Sequence, residues 1–158
     1  MATSLNIGIA GAGIGGLAAA ALLAREGHRV TVFDQFETVG PIGSGLILQE
    51  TGLTILGELG LRTEAEALGA PIRRLYGLSR QSGRTVLDVR YGSLRPALMG
   101  VSIQRPALFN LVHDAALAAG ARIEASTRIT AANPEDAVLV AASGATHGPF
   151  DLIVDALG

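Results

Sequence analysis

The sequence contains no cysteine, no tryptophan and no lysine, and only 4% of its residues are aromatic. Without cysteine the chain cannot form a disulfide, a thiolate metal site, a cysteine nucleophile or a cysteinyl bond to a flavin. A chain free of cysteine is compatible with a reducing compartment, and we expect a cytoplasmic protein. The 158 residues are about half apolar and rich in alanine, glycine and leucine, which is typical of a single packed α/β domain.

The formal net charge of −2 implies no general attraction to nucleic acid, so we expect no nucleic-acid partner. All 12 basic residues are arginine, and they are unevenly distributed along the chain. Between residues 72 and 106 only Asp88 opposes a group of arginines: Arg73, Arg74, Arg80, Arg84, Arg90, Arg95 and Arg105. This segment is either a solvated face or a surface that contacts an anionic cofactor or substrate through the forked guanidinium group.

The stretch from Ile7 to Ala24, IGIAGAGIGGLAAAALLA, carries no charged or polar side chain. A secretory signal needs basic residues before its apolar segment, and the preceding MATSLN has none. A membrane-spanning helix needs about 20 apolar residues, but the first half of this run is rich in glycine, which costs about 1 kcal/mol per residue in a helix relative to alanine. We therefore expect no membrane segment, and we divide the run into a strand, a turn and a helix.

The divided run predicts a strand–turn–helix–strand unit that binds a dinucleotide. LNIGIA is a short buried strand, GAGIGG is a turn, LAAAALLAREG is a helix ending at Gly27, and HRVTVFD is a second strand. The turn has the spacing G-x-G-x-x-G at Gly11, Gly13 and Gly16. We expect Gly11 to permit the tight turn, Gly13 to leave room for a pyrophosphate, and Gly16 to allow close packing of the helix. The free N–H groups at the helix start would then face the phosphates.

Asp34 ends the second strand, about 20 residues beyond the glycines, where an acid usually accepts hydrogen bonds from the adenosine ribose. The spacing suits an unphosphorylated ribose in either FAD or NAD, so the acid does not separate the two. The predicted contacts in this part of the chain are Gly11, Ala12, Gly13, Ile14, Gly15, Gly16, Asp34 and Gln35.

The remaining sequence predicts further elements of an α/β fold. A short amphipathic helix lies around residues 53–61 and ends near Gly60, and a hairpin with turns at Gly77 and QSGR follows. A second long helix begins near Pro106 and ends at Gly120, followed by the strand ARIEAS, a small β-meander and a buried terminal strand in DLIVDALG. Together they predict a doubly wound, Rossmann-like parallel sheet with insertions.

Several of these stretches together resemble the FAD-dependent aromatic hydroxylases related to p-hydroxybenzoate hydroxylase. The segment from Ile9 to Asp34 resembles the family's FAD-binding unit, with Asp34 where the family usually has glutamate. PIGSGLILQET resembles the family's G-x-G-[IL]-x-L-x-P-N loop and helix, with Glu50 and Thr51 in place of Pro-Asn. SIQRPALFNLV resembles a further FAD-contacting segment, and DLIVDALG resembles the strand before the family's G-A-D-G turn. The resemblance implies four further FAD contacts: Gly45, Arg105 at the phosphate and ribitol region, Ile129 at the adenine, and Gly158.

The chain also departs from the family pattern. Leu157 stands where the G-A-D-G turn carries aspartate, and Gly40 falls near a position where many relatives have an arginine. The family's second FAD motif and most of its substrate domain have no counterpart. We therefore expect residues 1–158 to be the FAD-binding domain of a longer enzyme, with residues 72–100 or so forming part of an insertion toward a substrate domain.

The resemblance implies an oxidoreductase in which NADH or NADPH reduces FAD, and oxygen from O2 is then transferred to an aromatic or similar small organic substrate. It implies a small-molecule substrate, and it leaves a homo-oligomer open. We assign no catalytic side chain and no metal site, because His28, His113 and His147 do not show metal-ligand spacing. Two alternatives stay open: an NAD(P)-binding Rossmann domain of a reductase, and a dinucleotide-binding fragment without turnover of its own.

Overall fold

A computed structural model describes residues 3–93 and 95–158 of the chain. The helices are α1 (Ile14–Arg25), α2 (Glu50–Glu58), α3 (Arg62–Leu68) and α4 (Arg105–Ala118), and a short 3-10 helix spans Tyr91–Ser93. The strands are β1 (Asn6–Ala10), β2 (Arg29–Phe33), β3 (Gly45–Leu48), β4 (Ala70–Ile72), β5 (Arg74–Leu78), β6 (Thr85–Arg90), β7 (Gly100–Gln104), β8 (Arg122–Glu124), β9 (Ile129–Asn133), β10 (Val138–Ala141), β11 (Thr146–His147) and β12 (Leu152–Asp155). These elements fall into two compact units. One comprises the chain up to Ile42 together with Leu108–Gly158, and the other is Gly43–Ala107.

The first unit is built on a parallel four-stranded sheet in the order β12-β1-β2-β8. Numbered by their position along the chain, these strands read 4-1-2-3, which is the arrangement of one half of a doubly wound dinucleotide-binding fold. The predicted α/β class and parallel sheet are confirmed. The order reverses between β1 and β12, and in such sheets ligands bind at the carboxyl ends of the strands at this point.

The apolar run is divided between β1 and α1, as the sequence predicts. Ile7 and Ile9 of β1 have no exposed surface, and Leu17 and Ala20 recur at helical spacing on the buried side of α1. The helix ends where Gly27 takes a left-handed φ of 91°, and the Gly27 N–H donates to the Ala24 carbonyl. The helix begins at Ile14, earlier than the sequence predicts. Within residues 3–93 and 95–158, no helix is both long and apolar enough to cross a membrane.

The predicted meander is present as the antiparallel sheet β11-β10-β9. Its inner residues join those of the parallel sheet in one apolar cluster: Ala10, Phe33, Ile129, Leu139, Ala141 and Phe150. The prediction of a buried terminal strand is wrong. Leu152 and Asp155 of β12 are exposed, because β12 lies at the edge of the sheet and pairs only with β1 among the described strands.

The second unit contains a small antiparallel sheet in the order β3-β7-β4, with α2 and α3 packed against it. The predicted helix corresponds to α2 and ends before Gly60, whose φ is 77°. The sequence reasoning missed both α3 and this sheet. The predicted hairpin is present as the β5–β6 pair, but Gly77 does not form a turn. It lies inside β5 at a shift of register, where a residue without a side chain is accommodated in a strand.

Arg62 joins the starts of α2 and α3. Its guanidinium donates to both carboxylate oxygens of Glu50, at 3.0 and 3.3 Å, and to Glu66 at 2.9 Å. The hydrogen bonds from Arg62 lower the pKa of Glu50. Glu50 occupies the place where the resemblance leads one to expect proline, so an ion pair rather than a rigid ring fixes the first turn of α2.

Replacing Glu50 by glutamine is expected to lower stability only where the carboxyl is ionised. Because folding lowers the pKa of Glu50, the ionised carboxylate makes its full contribution to the free energy of unfolding above its ordinary pKa of 4.5. That contribution is lost as the pH falls through the lower pKa of the folded state. Both side chains are 38% exposed, so the loss at about pH 7 should stay below about 1 kcal/mol. Urea unfolding of both proteins at about pH 7 and about pH 3 measures it. A difference of equal size at both pH values would contradict the assignment.

Candidate dinucleotide-binding site

The turn between β1 and α1 lies at the switch point of the parallel sheet. Gly11 has a φ of 106°, a left-handed conformation that favours glycine, and its N–H donates to the Phe33 carbonyl at 2.8 Å. A Cβ at Gly11 would collide with the carbonyl of Ala156, which follows β12. The turn is therefore held between the ends of the two strands that flank β1, and only glycine fits at its first position.

Gly16 packs α1 against this turn. It is buried, and a Cβ there would collide with the Gly11 carbonyl oxygen and approach the Ala156 Cβ to 3.3 Å. Both neighbours are close to the backbone and cannot rotate away. The close approach of helix and strand that the sequence predicts for Gly16 is present.

Gly13 and Gly15 differ from the other two glycines because the space around them is open. Apart from the adjacent residues and the backbone of α1 itself, no described heavy atom would lie within 4 Å of a Cβ at either position, and both residues are exposed. Gly13 is the N-cap residue of α1 and has an extended backbone, with φ −70° and ψ 174°. Because glycine has no side chain, it makes no side-chain capping hydrogen bond to the helix. The first turn of α1 has no acidic residue, so no side-chain charge there offsets the positive end of the helix dipole, which lies next to these two open positions.

The Asp34 carboxylate is held by two backbone donors. Its Oδ2 accepts the Ala12 N–H at 2.8 Å, and its Oδ1 accepts the Phe36 N–H at 3.0 Å. The Asp34 backbone is fixed as well, because its N–H donates to the Glu124 carbonyl and its carbonyl accepts the Thr127 N–H. Each carboxylate oxygen keeps a second lone pair, so the group can still accept a hydrogen bond from a ligand hydroxyl. Gln35, the next predicted residue, is exposed.

Ile129 and Gly158 complete the predicted residues of the first unit. The Ile129 side chain is 7% exposed and lies in the apolar cluster, so only its main chain is available to a ligand. Gly158 is exposed, and its φ of 93° places it in the left-handed region after β12. The structure thus brings the turn, Asp34 and Gly158 to the carboxyl ends of three adjacent strands.

Arg105 and Gly45 belong to the second unit and lie near each other there. The exposed Arg105 begins α4, and its N–H donates to the Ser44 carbonyl at 3.1 Å. Gly43 has a left-handed φ of 103°, and the Arg105 side chain lies beside it, with Nε 3.4 Å from the position that a Cβ would take. Gly45 begins β3 and pairs with Gln104, which precedes Arg105.

The arginine-rich segment is partly neutralised by its own acid. The Arg74 guanidinium donates two hydrogen bonds to Asp88, at 2.6 and 2.9 Å, and also lies 4.4 Å from the centre of the Tyr76 ring. Arg90 approaches the same carboxylate at 3.7 Å. Arg74 and Arg90 are therefore part of a solvated ion-pair cluster on the hairpin. For these two residues the structure agrees with the interpretation of the segment as a solvated face.

Sequence reasoning missed two backbone contributors to this region. Ala156 forms the wall against which Gly11 and Gly16 pack, and the loop at Ser126 runs beside Asp34, with the Ser126 N–H donating to the Phe36 carbonyl. Ser126 has a φ of 54°, which is uncommon for a residue other than glycine. Neither position is marked in the sequence, because Ser126 acts through its N–H, and Ala156 contributes only its main chain and a methyl group.

Comparison with known proteins decides the family. The family described as "FAD binding domain" matches residues 4–147, which is most of the chain. The chain belongs to this FAD-binding family. The resemblance to FAD-dependent hydroxylases is thereby confirmed.

The relatives of this FAD-binding chain include a synthase and several proteins named as hydroxylases or monooxygenases. A probable 2-heptyl-3-hydroxy-4(1H)-quinolone synthase of Rhodococcus erythropolis is 30% identical over 157 residues, covering 99% of this chain and 40% of the relative. The 3-hydroxybenzoate 6-hydroxylase 1 of Aquipseudomonas alcaligenes is 37% identical over 84 residues, or 53% of this chain and 21% of the relative.

Solved structures show the same fold. The tetrameric form of 2-methyl-3-hydroxypyridine-5-carboxylic acid oxygenase aligns with a TM-score of 0.83 and 24% identity, covering 99% of this chain and 40% of that one. At this identity the likeness concerns the fold. The chain spans about 40% of the length of the first relatives it matches.

Proposed function

We propose that the chain is the FAD-binding part of an NAD(P)H-dependent monooxygenase that hydroxylates an aromatic or similar small organic substrate. The observation that carries this proposal is the open space at Gly13, directly before the N–H groups at the start of α1, together with the Asp34 carboxylate that accepts the Ala12 N–H in the same turn. A pyrophosphate needs close approach to backbone donors, and a ribose needs an acceptor nearby. The residues present therefore fit FAD.

In this proposal each predicted residue has a physical role toward FAD. The N–H groups that follow Gly13 bind the pyrophosphate, and Asp34 accepts hydrogen bonds from the adenosine ribose through its free lone pairs. Arg105 adds a positive charge for the phosphate and ribitol region of FAD. Gly45 and Gly158 let the cofactor approach the backbone closely, and the main chain of Ile129 contacts the adenine. FAD, when bound, supplies the redox chemistry, and the protein supplies position and electrostatics.

The names of relatives support the substrate class. The relatives act, by name, on 3-hydroxybenzoate and on a hydroxypyridine carboxylic acid, which are small hydroxylated rings. We extend that class to the whole protein of which this chain corresponds to a part, with NADH or NADPH as reductant. The tetrameric form of the hydroxypyridine oxygenase supports a homo-oligomer here as well.

Purified protein tests the cofactor directly. We expect a yellow protein that releases FAD on denaturation, identified by its absorbance spectrum and by chromatography. A colourless protein that binds NAD and fails to take up added FAD would refute the proposal and favour the NAD(P)-binding reductase. If FAD binds and NADPH or NADH is not consumed even with 3-hydroxybenzoate present, the chain is a dinucleotide-binding domain without turnover of its own.

Replacing Arg105 by alanine is expected to weaken FAD binding. A charge-assisted hydrogen bond contributes about 1.5–3 kcal/mol, which corresponds to roughly 10–150-fold in the dissociation constant. Titration of the apoprotein with FAD, followed by flavin fluorescence, measures the change. Arg84→Ala is the matched control, because Arg84 is an exposed arginine next to the turn of the β5–β6 hairpin. Equal affinities for the two variants would show that Arg105 has no role in FAD binding.

A further inference from the structure

Phe36 is the one phenylalanine of the chain that the fold leaves at the surface. The other three, Phe33, Phe109 and Phe150, are between 3% and 9% exposed, whereas Phe36 is 45% exposed. Phe36 lies two residues after Asp34, in the loop that follows β2 at the carboxyl edge of the parallel sheet. Burying the exposed part of a phenyl ring is favourable, so a ligand that covers it gains affinity.

The main chain of Phe36 is fixed on both sides of the ring. Its N–H donates to Asp34 Oδ1 at 3.0 Å, and its carbonyl accepts the Ser126 N–H at 2.9 Å. Ser126 has a left-handed φ of 54°, a conformation that costs backbone energy for a residue other than glycine. A strained residue thus provides the N–H that holds Phe36, and the position of the ring's attachment point is set before any ligand binds.

The two carboxylate oxygens of Asp34 face different parts of the site. Oδ2 accepts the N–H of Ala12 in the glycine turn, beside which the pyrophosphate lies in the proposed function, and Oδ1 accepts the N–H of Phe36. A ribose that binds this carboxylate through its 2′ and 3′ hydroxyls carries the pyrophosphate at one end of that diol edge and the adenine at the other. With the pyrophosphate at the turn, the adenine therefore lies on the side of Phe36.

We propose that Phe36 is a specificity-determining residue whose ring stacks on the adenine of the bound dinucleotide. The inference rests on the proposed function, because that function supplies the adenosine half of FAD. Stacking requires a planar base and does not use the hydrogen-bonding edge of that base. Phe36 binds the nucleotide and takes no part in electron transfer.

The sequence allows a direct optical readout, because the chain contains no tryptophan. Phe36→Trp introduces a single indole at the proposed contact. ADP carries adenine, ribose and pyrophosphate without the flavin, and its binding to the apoprotein can be followed independently by calorimetry. We expect ADP to quench the indole fluorescence and the quenching to saturate together with the calorimetric signal. Leu117→Trp is the matched control, because Leu117 is 47% exposed in α4 of the same unit, and ADP should leave its emission unchanged.

Substitutions that keep or remove the ring separate stacking from a general apolar contact. Phe36→Ala should weaken the binding of ADP and of FAD by the same factor, about tenfold, which is the loss typical of one base–aromatic stack. Phe36→Tyr should bind ADP as the unmodified chain does, and Phe36→Leu should not, because only tyrosine presents a planar ring. The thermal stability of the apoprotein should change little in all three, since the side chain is half exposed.

Several results would overturn the inference. Unchanged emission of Phe36→Trp at saturating ADP, or full ADP affinity in Phe36→Ala or Phe36→Leu, would show that the ring makes no stacking contact. A lack of ADP binding to the unmodified chain would show that the adenosine half has no site here. A large loss of apoprotein stability in Phe36→Ala would show that the ring serves the fold instead.

The ADP measurements separate the two proposals, because they do not require the flavin. A protein that binds ADP with the expected effects but takes up no FAD would overturn the proposed function and leave the role of Phe36 intact. A protein that releases FAD but shows neither quenching nor weaker binding in the Phe36 variants would overturn the role of Phe36 alone.

Discussion

Gly13→Val is expected to lower FAD affinity at least about a hundredfold, close to 3 kcal/mol, while the apoprotein unfolds within about 2 °C of the unmodified chain. The first effect follows because a branched side chain would fill the open space in which the pyrophosphate approaches the N–H groups of α1. The second follows because no described heavy atom outside the adjacent residues lies within 4 Å of a Cβ at this position, and its extended backbone suits valine.

Fluorescence titration with FAD and a thermal scan of the apoprotein together test Gly13→Val. Gly57→Val is a suitable control, since Gly57 is also open to solvent but lies in α2 of the other unit. The control should bind FAD normally. Retention of FAD by Gly13→Val would refute the assignment of the turn to a phosphate, and a large loss of apoprotein stability would mean that Gly13 serves the fold instead.

Gly16→Ala is expected to have the opposite signature, a large loss of stability before any ligand is added. A Cβ at Gly16 would collide with the Gly11 carbonyl oxygen, so α1 must move away from the turn. Overpacking of this kind costs about 3 kcal/mol, which corresponds to a fall of about 6–12 °C in Tm for a chain of this size. Circular dichroism of the apoprotein on heating measures the change.

Gly15→Ala is the matched control for Gly16→Ala. Gly15 is the adjacent residue in the same helix, and its Cβ position is empty. Alanine there should raise the stability of the apoprotein by about 1 kcal/mol through its better helix propensity. If both substitutions changed Tm equally and in the same direction, the close packing of Gly16 would not be the cause.

The parts of the fold that could be predicted from sequence are those whose signals lie within one continuous stretch of chain. The β1–α1–β2 unit was predictable because strand, glycine turn, helix and acid follow one another within the first 34 residues. Gly27 and Gly60 were predictable as helix ends because a left-handed residue is required there and glycine adopts it readily. Asp34 was found through its spacing from the turn alone.

The missed elements depend on contacts between distant residues. β3 and β7 form a sheet although most of the second unit separates them in sequence, and each strand alone is too short to show a clear alternation. The sequence predicted a turn at Gly77 because glycine usually interrupts strands. In the structure Gly77 is part of β5, because it pairs with Leu87 of β6. The Tyr91 hydroxyl, which is buried without a hydrogen-bond partner among residues 3–93 and 95–158, had no signal in the sequence, because its surroundings come from distant parts of the chain.

The hydrogen bonds of Asp34 join four separate pieces of chain: the glycine turn, the loop after β2, the end of β8 and the loop before β9. These pieces are ordered when the chain folds, since every bond is made within the protein itself. A nucleotide that meets this arrangement does not have to order it, so little conformational entropy is lost on binding and more of the contact energy appears as affinity. If the chain binds FAD as proposed, we expect Asp34 to contribute through the rigidity it imposes on its surroundings, in addition to any contact it makes.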